Sequence, residues 1–454
     1  MFGAARRIGA WLALALFAIV LFGGSPSAQE PSAAERATLQ SRKEALFQQM
    51  LRDPANLDII FAYADVAAKL GDNEAAVSAL ERMLLFNPDL RRVQLELGAL
   101  YFRMGSYEIS RTYFEKALAG EPPPEVRSRV ETYLAEISRL SSPHRFSGSV
   151  SYGAQYQSNA SLGPSSQIPI PGGFATLPPE FAKRADVNIF GTGSVLYEYD
   201  LGSQERDTVE VAGAGFADHH FEVGRLDLGI VEATAGPRFN FTEPASGIRA
   251  VSLKPYVIAN YVNLGSDPYF YTIGVGGETA AAIWHDFRLR SFFEFRNKNF
   301  QNAPDRPLSR GLTGSDKLFS LFLAKPITAV PDSEFMLEVD LLRQDTRLDF
   351  YANWTYGGVL AYRVRYDDPT GFLRSPWETT VFFSGRQADY DAPQQGISTN
   401  ARSDRRLRFG LTQSFQVVDK VELVVLLQRE IVSSNVPLYS YNNSSILIGP
   451  RIRF

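Results

Sequence analysis

The pattern of hydrophobic and polar positions changes near residue 145. Over residues 31–141, apolar residues recur with the spacing of amphipathic helices. From Arg145 onward, apolar and polar residues alternate, and groups of turn residues separate the alternating segments. The sequence therefore predicts a multidomain α+β protein, in which a helical part is followed by a β part.

The helical part carries an internal repeat. Pro54, Pro88 and Pro122 are separated by 34 residues, and so are Gly71 and Gly105. This spacing resembles that of the tetratricopeptide repeat, a helix-turn-helix unit with glycine in its turn and proline after its second helix. An unrelated pair of helical hairpins with coincidental prolines is the alternative interpretation.

Packing positions within two successive units agree with this repeat. They are Ala64, Gly71, Ala76, Leu80 and Pro88 in residues 57–88, and Leu97, Gly98, Tyr101, Phe114, Ala117 and Pro122 in residues 91–122. Flanking helices are predicted at 33–52 and 124–140. The first helices of the repeats would line a concave groove that holds an extended peptide or a partner protein. The predicted cargo-binding residues of this groove are Asp58, Phe61, Asp65, Lys69, Arg92, Leu95, Phe102 and Arg103. A purely structural spacer is the alternative.

In the β part, apolar and charged residues occupy opposite faces of the same segments. The apolar face holds Phe287, Leu289, Phe293, Phe295, Phe335, Leu337, Val339, Leu341, Leu407, Phe409, Leu411 and Phe415. The charged face holds Arg288, Arg290, Glu294, Arg296, Lys298, Glu334, Glu338, Asp340, Arg406 and Arg408. A soluble sandwich would turn the charged face to water, whereas a barrel would place it in the lumen.

About 14 alternating segments predict an antiparallel transmembrane β-barrel. Their expected starts lie near residues 146, 185, 206, 224, 250, 269, 286, 315, 333, 353, 373, 403, 421 and 443. Backbone amides in hydrocarbon must be paired internally, and closure of the sheet achieves this. Long outward connections are expected at 158–184, 301–314, 388–402 and 433–442, and short inward ones at 200–205 and 417–420. A short outward turn near Phe221 and a longer inward connection at 241–249 depart from this arrangement.

Residues 1–28 are predicted to be a secretory signal peptide. Arg6 and Arg7 precede an apolar stretch from Trp11 to Phe22, and small residues follow near a cleavage site. An anchor helix is the alternative, but the apolar stretch is short for one. The predicted domains are therefore the signal peptide at 1–28, a periplasmic repeat domain at 29–142 and an outer-membrane barrel at 143–454.

Composition removes several function classes. The chain has no cysteine, which excludes thiol catalysis and cysteine-ligated zinc. A formal net charge of −4 and dispersed basic residues give no reason to expect nucleic acid. With four histidines and no catalytic motif, we expect no enzyme activity, no cofactor and no metal. Asp218, His219 and His220 could orient a water or bind a divalent metal in a hydrolase at the barrel rim, but polar rim residues are the preferred interpretation.

The lumen charges and one long loop leave alternatives open. Arg288, Arg290, Arg296, Lys298, Arg406, Arg408, Arg451 and Arg453 would form a basic wall, opposed by Glu334, Glu338 and Asp340. This wall is either a pathway or docking surface for a charged substrate, or a set of ion pairs that stiffens the barrel. The proline-rich loop 158–184 either enters the lumen as a constriction or extends outside as a lid.

The order of these parts resembles the surface lipoprotein assembly modifier family. A partial match to its first barrel segment occurs at Tyr156–Ser161, where the acidic residue and the second asparagine are missing, and the last strand ends in Phe454. The resemblance implies passage or display of protein cargo, especially lipoprotein, across the outer membrane. Expected partners are outer-membrane lipid, the cargo and the barrel-assembly machinery, and the chain is expected to be a monomer. An exopolysaccharide export porin and a rim hydrolase are the alternatives.

Overall fold

The computed structural model describes residues 33–120, 122–170, 173–245, 248–283, 286–371 and 375–454. The predicted signal peptide lies outside these residues. The chain divides into two compact units between Ser142 and Pro143. Below they are called the helical unit and the barrel unit, and each is described by itself.

The helical unit contains six described α-helices. They are α1 (Ala33–Arg52), α2 (Leu57–Lys69), α3 (Asn73–Phe86), α4 (Arg91–Arg103), α5 (Tyr107–Leu118) and α6 (Pro124–Leu140). Asn56 and Asp72 cap α2 and α3 through their side-chain oxygens, which accept from the amides of Ile59 and Ala75. Gly71 and Gly105 both have positive φ, +80° and +73°, in the turn that separates two helices of one repeat.

Small and large apolar side chains alternate in the core of the helical unit. Ile60, Ala67, Ala76 and Leu97 are all fully buried, at 0% exposure, in one cluster that joins α2, α3 and α4. The alanines let neighbouring helices approach closely, and the larger side chains fill the space between them. This arrangement confirms the predicted tetratricopeptide-repeat fold and its helix boundaries.

The barrel unit is a closed antiparallel barrel of fourteen strands among the described residues. They are β1 (His144–Gln157), β4 (Asp186–Asp200), β5 (Thr208–His220), β6 (Leu228–Ala245), β7 (Ile248–Leu264), β8 (Asp267–Ile283), β9 (Arg288–Phe300), β10 (Gly314–Pro326), β11 (Ser333–Thr346), β12 (Asn353–Tyr366), β13 (Trp377–Tyr390), β14 (Ser403–Val418), β15 (Val421–Ser434) and β16 (Tyr441–Arg453). Every predicted start lies within four residues of the observed one. The predicted fold class is confirmed.

Alternation places the two faces of the strands as the sequence predicts. In β11, Phe335 and Val339 face outward with 51% and 47% exposure, whereas Glu334 and Asp340 face inward with 4% and 1% exposure. In β16, Ile446 and Ile448 are likewise exposed on the outer surface. The barrel therefore has an apolar outer surface and a polar inner wall.

The connections differ between the two ends of the barrel. The long-loop end has the connections 158–185, 221–227, 265–266, 301–313, 347–352, 391–402 and 435–440. The short-turn end has 201–207, 246–247, 284–287, 327–332, 367–376 and 419–420. The prediction of a longer connection at 241–249 is wrong, because β6 continues to Ala245 and β7 starts at Ile248. At this end, β6 and β7 stay paired beyond the residues in which apolar and polar positions alternate.

The loop 158–185 contains a hairpin that the sequence pattern did not predict. Strands β2 (Gln167–Ile170) and β3 (Gly173–Thr176) pair with each other and not with the barrel. Phe174 in β3 is 72% exposed. The base of the loop is buried, since Asn159 has no exposed surface and donates to the carbonyl oxygens of Gly163 and Asn442. The loop is thus anchored at the barrel wall while its hairpin is exposed.

Candidate functional site

The predicted groove begins with a contact between two successive repeats. The guanidinium carbon of Arg92 in α4 lies 4.7 Å from the centre of the Phe61 ring in α2. This is a cation–π distance. Phe61 is partly buried and Arg92 is exposed. The structure therefore brings together the aromatic and basic groove residues that were selected from repeat position.

The remaining groove residues separate into an exposed set and a packed set. Asp65 and Lys69 form an exposed ion pair at 2.7 Å along α2, and Asp58 and Arg103 are also exposed. Phe102 instead packs edge-on against Tyr133 of α6, with ring centres 5.3 Å apart.

Leu95 joins Phe102 in the same cluster. Leu95 and Phe102 of α4 are therefore packed against α6, whereas the charged groove residues of α2 stay exposed. There, acidic and basic groups flank one aromatic ring, which suits a polypeptide segment of mixed charge.

A partly buried polar cluster on the helical unit was not predicted from the sequence. The Tyr101 hydroxyl donates to Glu81 Oε1 at 2.6 Å, and its ring stacks on Tyr113 with centres 5.7 Å apart. Burial, with help from the Glu81 carboxylate, raises the pKa of both tyrosines. Both hydroxyls thus stay protonated at neutral pH, and they tie α4 and α5 to α3. The repeat pattern marks Tyr101 as a packing position but gives no sign of its glutamate partner.

The predicted lumen residues of β9 lie on the inner wall and are paired. Arg296 contacts Glu232 at 2.9 Å and Glu294 at 2.7 Å. Lys298 contacts Asp316 at 2.5 Å. All of these side chains are mostly buried. Each charge has a fixed opposite charge, as buried ions require.

The other predicted lumen residues follow the same rule. Asp340 is bound by Arg386 at 2.9 Å, and Glu338 lies 4.0 Å from that guanidinium. The pairs Arg288–Glu334, Arg290–Glu278, Arg408–Glu430, Arg451–Glu422 and Arg453–Glu422 are also present, and Arg406 adds its charge near Glu430. Each of these pairs joins two different strands. The Arg288–Glu334 pair and both contacts of Arg386 cross one intervening strand, and the others join adjacent strands. This pairing favours the interpretation that the charges stiffen the barrel.

A further buried network was not selected from the sequence. Glu210 in β5 accepts from Arg238 in β6 and from Lys254 in β7, and Arg238 also reaches Glu278 in β8. Tyr256 donates to Glu294 at 2.6 Å. Alternation alone marks each as inward-facing. Which inward charges meet depends on the register of several strands, and that register is not visible in any single segment.

The long-loop end is partly covered by an apolar cluster. Leu312 and Tyr351, from the short 3-10 helices in loops 301–313 and 347–352, are buried against the ends of β6–β9. Phe300 stacks near Phe270 there, with ring centres 4.5 Å apart. Residues of these two loops are therefore packed against the strand ends at the long-loop end.

The first and last strands meet at what is here called the seam, the pairing of β1 with β16. Pairs are formed at Ser149–Ser151 and at Ala154–Gln157, and the ladder is interrupted between them, opposite Gly449 and Pro450. Pro450 has no amide hydrogen to donate. By contrast, β1 pairs with β4 without interruption from His144 to Gln157. The seam is therefore the more weakly paired side of β1.

The two adjacent histidines face opposite ways. His219 is directed outward with 62% of its side chain exposed, and its Nδ1 lies 2.6 Å from Asp227 Oδ2. His220 is directed inward and is 5% exposed, with Asp218 and Asp227 facing its Nδ1. Asp227 comes from loop 221–227 and was not selected from the sequence. A rim hydrolase using both histidines together is not supported by this geometry.

Comparison with known proteins identifies the repeat. The tetratricopeptide repeat family matches residues 92–119. No curated protein matches the chain. No helix in the described part of the chain is long and apolar enough to cross a membrane.

Several solved structures are similar in part. The tetratricopeptide-repeat domain of P58(IPK) is 21% identical over 22% of this chain and 28% of that chain, with a TM-score of 0.21. A repeat protein from Parabacteroides merdae is 20% identical over 24% of this chain and 41% of that chain, with a TM-score of 0.21. The translocator chaperone SycD of Yersinia enterocolitica is 12% identical over 23% of this chain and 75% of that chain, with a TM-score of 0.22. The match spans less than half of the first two structures.

These observations define the class of the protein. It combines a tetratricopeptide-repeat region with a closed fourteen-strand antiparallel β-barrel. The barrel has an apolar outside and a polar inside, an architecture consistent with an outer-membrane protein.

Proposed function

We propose that the chain is an outer-membrane translocator that moves or displays protein cargo, in particular lipoprotein, at the cell surface. In this proposal the helical unit is periplasmic and engages the cargo, and the barrel unit spans the outer membrane. The observation that carries the proposal is the presence, in one chain, of tetratricopeptide-repeat helices with exposed charges beside the Phe61–Arg92 contact and of a closed barrel.

The barrel surface supports a lipid environment. Outward positions on β11 carry Phe335, Leu337, Val339 and Leu341, all more than two fifths exposed. In water, such a continuous apolar belt would be costly and would promote aggregation. In a bilayer, the same belt is the favourable state, and the closed ladder leaves no strand edge in hydrocarbon.

The inner wall argues against a simple ion-selective pore. Charges of both signs are paired along it, for example Arg296 with Glu232 and Arg386 with Asp340. A paired wall gives no ring of one sign, which a selective pore uses to choose ions. A wall that is stiffened by paired charges instead suits a scaffold that supports cargo movement.

The seam offers a route for cargo with a lipid anchor. A lipoprotein must place its acyl chains in the bilayer while its polypeptide crosses, so a wall that can separate at one side is useful. The interruption opposite Gly449 and Pro450 leaves fewer paired residues between β1 and β16 than between β1 and β4, so the seam is the side of β1 at which we expect the wall to separate.

Deleting the gene and restoring it tests the function. We expect the deletion to lower the amount of specific surface-exposed proteins, detected by protease shaving and mass spectrometry of intact cells. The wild-type gene should restore them, and a Phe61→Ala/Arg92→Ala variant should restore fewer at equal barrel abundance. Loss of surface polysaccharide with unchanged surface proteins would instead support an export porin. No change in either would refute export altogether.

The seam can be tested by crosslinking, because the chain has no cysteine. Tyr156 faces Ile446 across the seam and Val187 across the β1–β4 pairing. A Tyr156→Cys/Ile446→Cys disulfide should block cargo display, and reduction should restore it. The Tyr156→Cys/Val187→Cys disulfide is the matched control and should leave display unchanged. Equal display with the seam crosslinked would rule out this route.

A further inference from the structure

Three side chains converge at the long-loop end beside loop 221–227. Asp218 and His220 are two residues apart on β5, so both face inward. Asp227 comes from the loop that follows. One oxygen from each carboxylate and one nitrogen of His220 lie within 4.8 Å of one another.

His220 is the unusual member of this group. Its side chain is 5% exposed, and its Nδ1 has no hydrogen-bond partner. That nitrogen points at both carboxylates, 3.8 Å from Asp218 Oδ1 and 3.4 Å from Asp227 Oδ1. These separations are long for hydrogen bonds. Two ligands that are each about 2.1 Å from one metal ion lie roughly 3.0–3.4 Å apart. The Asp227 separation of 3.4 Å is within this range, and the Asp218 separation of 3.8 Å is longer than it.

The negative charge of the two carboxylates favours the binding of a cation. Deeper in the lumen, Glu210 and Asp340 each have an arginine partner. Among the ion pairs of the described chain, Asp218 and Asp227 have only the histidines. Two carboxylates that are mostly buried need compensating positive charge.

Both carboxylates are already held in position. The Leu228 amide donates to Asp218 Oδ1 at 2.7 Å, and the His220 amide donates to Asp227 Oδ1 at 2.8 Å. Each oxygen keeps a further lone pair. A cation would therefore meet ligands that need little rearrangement, which lowers the entropic cost of binding.

We infer that Asp218, His220 and Asp227 form a site for a divalent first-row transition metal, with Zn²⁺ or Mn²⁺ as the fitting ions. One imidazole nitrogen and two carboxylate oxygens suit these ions, whereas Ca²⁺ and Mg²⁺ prefer oxygen ligands alone. Water would complete the coordination. The inference is independent of cargo translocation.

The second ring nitrogen of His220 sets a condition on this site. When a metal ion is bound to Nδ1, the proton of the imidazole is on Nε2. This N–H group then needs a hydrogen-bond acceptor. Gln157 lies there and at present directs its Nε2 toward His220 Nε2, at 3.5 Å. Its amide must turn, or a carboxylate must replace it.

Metal at this site would fasten neighbouring parts of the long-loop end. Loop 221–227 donates the amides of Glu222 and Val223 to Asp186, the first residue of β4. Joining Asp227 to β5 through a metal would hold this loop between β4, β5 and β6. The expected physical effect is a more rigid mouth beside loop 158–185.

Equilibrium dialysis of the full chain, folded in detergent micelles, tests the inference. With Zn²⁺ or Mn²⁺ as the probe and elemental analysis as the readout, we expect about one ion per chain. His220→Ala and Asp218→Asn should each weaken binding at least ten-fold. His144→Ala is the matched control and should stay within three-fold, because His144 is exposed at the opposite end of β1 from Gln157. Co²⁺ bound by the wild type should give a visible absorption spectrum that His220→Ala lacks.

A Gln157→Glu variant tests whether the acceptor at His220 Nε2 controls metal affinity. If a metal is bound, a carboxylate at 157 accepts from Nε2–H and strengthens the imidazole as a ligand, so affinity should rise several-fold. Two results would overturn the site. One is wild-type metal content equal to that of a correctly folded His220→Ala barrel, and the other is an equal loss in His144→Ala.

Discussion

Arg92 lies over the ring of Phe61, so one side chain from each of two successive repeats meets on the face predicted to form the groove. Neither residue belongs to the set of positions that define the repeat. Their contact joins α4 to α2 across 4.7 Å. It therefore links groove chemistry to the spacing between repeats.

This contact predicts a measurable coupling between the two residues. Exposed cation–π pairs contribute about 0.5–1 kcal/mol. In a double-mutant cycle with Phe61→Leu and Arg92→Gln, we expect a coupling of that size in the free energy of unfolding of the helices. Urea titration followed by circular dichroism at 222 nm measures it. The Asp65→Asn/Arg92→Gln cycle serves as control and should be additive, and a coupling below about 0.2 kcal/mol for the first cycle would contradict the prediction.

The Lys43–Asp72 pair predicts how the helical unit responds to pH. The hydrogen bond from Lys43 lowers the pKa of Asp72 below its ordinary 3.8, and the same bond raises the pKa of Lys43 above 10.5. The contribution of Asp72 is therefore complete above about pH 4 and is lost as the pH falls through its lowered pKa. The contribution of Lys43 is complete below pH 10.5 and is lost at higher pH.

Substitutions at Asp72 separate its two roles. Asp72→Asn keeps an oxygen for the Ala75 amide and should cost less than about 1 kcal/mol at neutral pH. Asp72→Ala also removes the helix cap and should cost roughly 1 kcal/mol more. Urea unfolding between pH 3 and pH 7 tests both, and Asp72→Asn should flatten the acid side of the profile. An unchanged acid profile would show that other carboxylates control it.

Two glycines of the repeat predict two different kinds of damage. A Cβ atom at Gly98 would lie 2.7 Å from the ring of Phe114, which is buried, whereas a Cβ at Gly105 has open space but a φ of +73°. Gly98→Ala should cost about 1–3 kcal/mol through overpacking. Gly105→Ala should cost about 1 kcal/mol through backbone strain.

The Phe114→Leu variant distinguishes these causes. A smaller side chain at 114 makes room for a methyl group at 98, so the Gly98→Ala/Phe114→Leu protein should be more stable than additivity predicts. The Gly105→Ala/Phe114→Leu protein should be additive, since nothing contacts a Cβ at 105. Thermal unfolding of the helices checks both pairs, and additivity in the first would argue against the clash.

The two faces of the barrel predict responses of different size to the same introduced charge. Val339 points outward in the middle of β11, and Thr412 points inward in the middle of β14. In lipid vesicles, Val339→Arg should destabilise the folded barrel by about 2–4 kcal/mol. Thr412→Arg should cost less, because the inner wall is polar. Heat-modifiable gel mobility during urea titration gives both values, and equal effects would contradict a lipid-facing outer surface.

Much of the fold follows from local patterns. The prolines and glycines at a fixed period located the repeats, because each is needed at a helix end or in a left-handed turn. Alternation located the strands and their faces. It placed Glu294, Arg296 and Asp340 on the inner wall.

The parts that were not predicted depend on distant residues. Asp340 meets Arg386 across an intervening strand, and Asp227 reaches His220 from a loop whose path follows no periodic pattern. The β2–β3 hairpin lies in a segment where prolines obscure alternation. A single segment constrains which way a side chain points, but not which partner the neighbouring strands bring to it.

The closed ladder also has a consequence in time. β1 pairs on one side with β4, which is its next neighbour in the barrel along the chain, and on the other with β16, which begins some 280 residues after β1 ends. Until β16 pairs with β1, the unclosed sheet has two bare strand edges that can pair with another chain. Whatever assists closure must therefore recognise an incomplete sheet rather than a finished barrel.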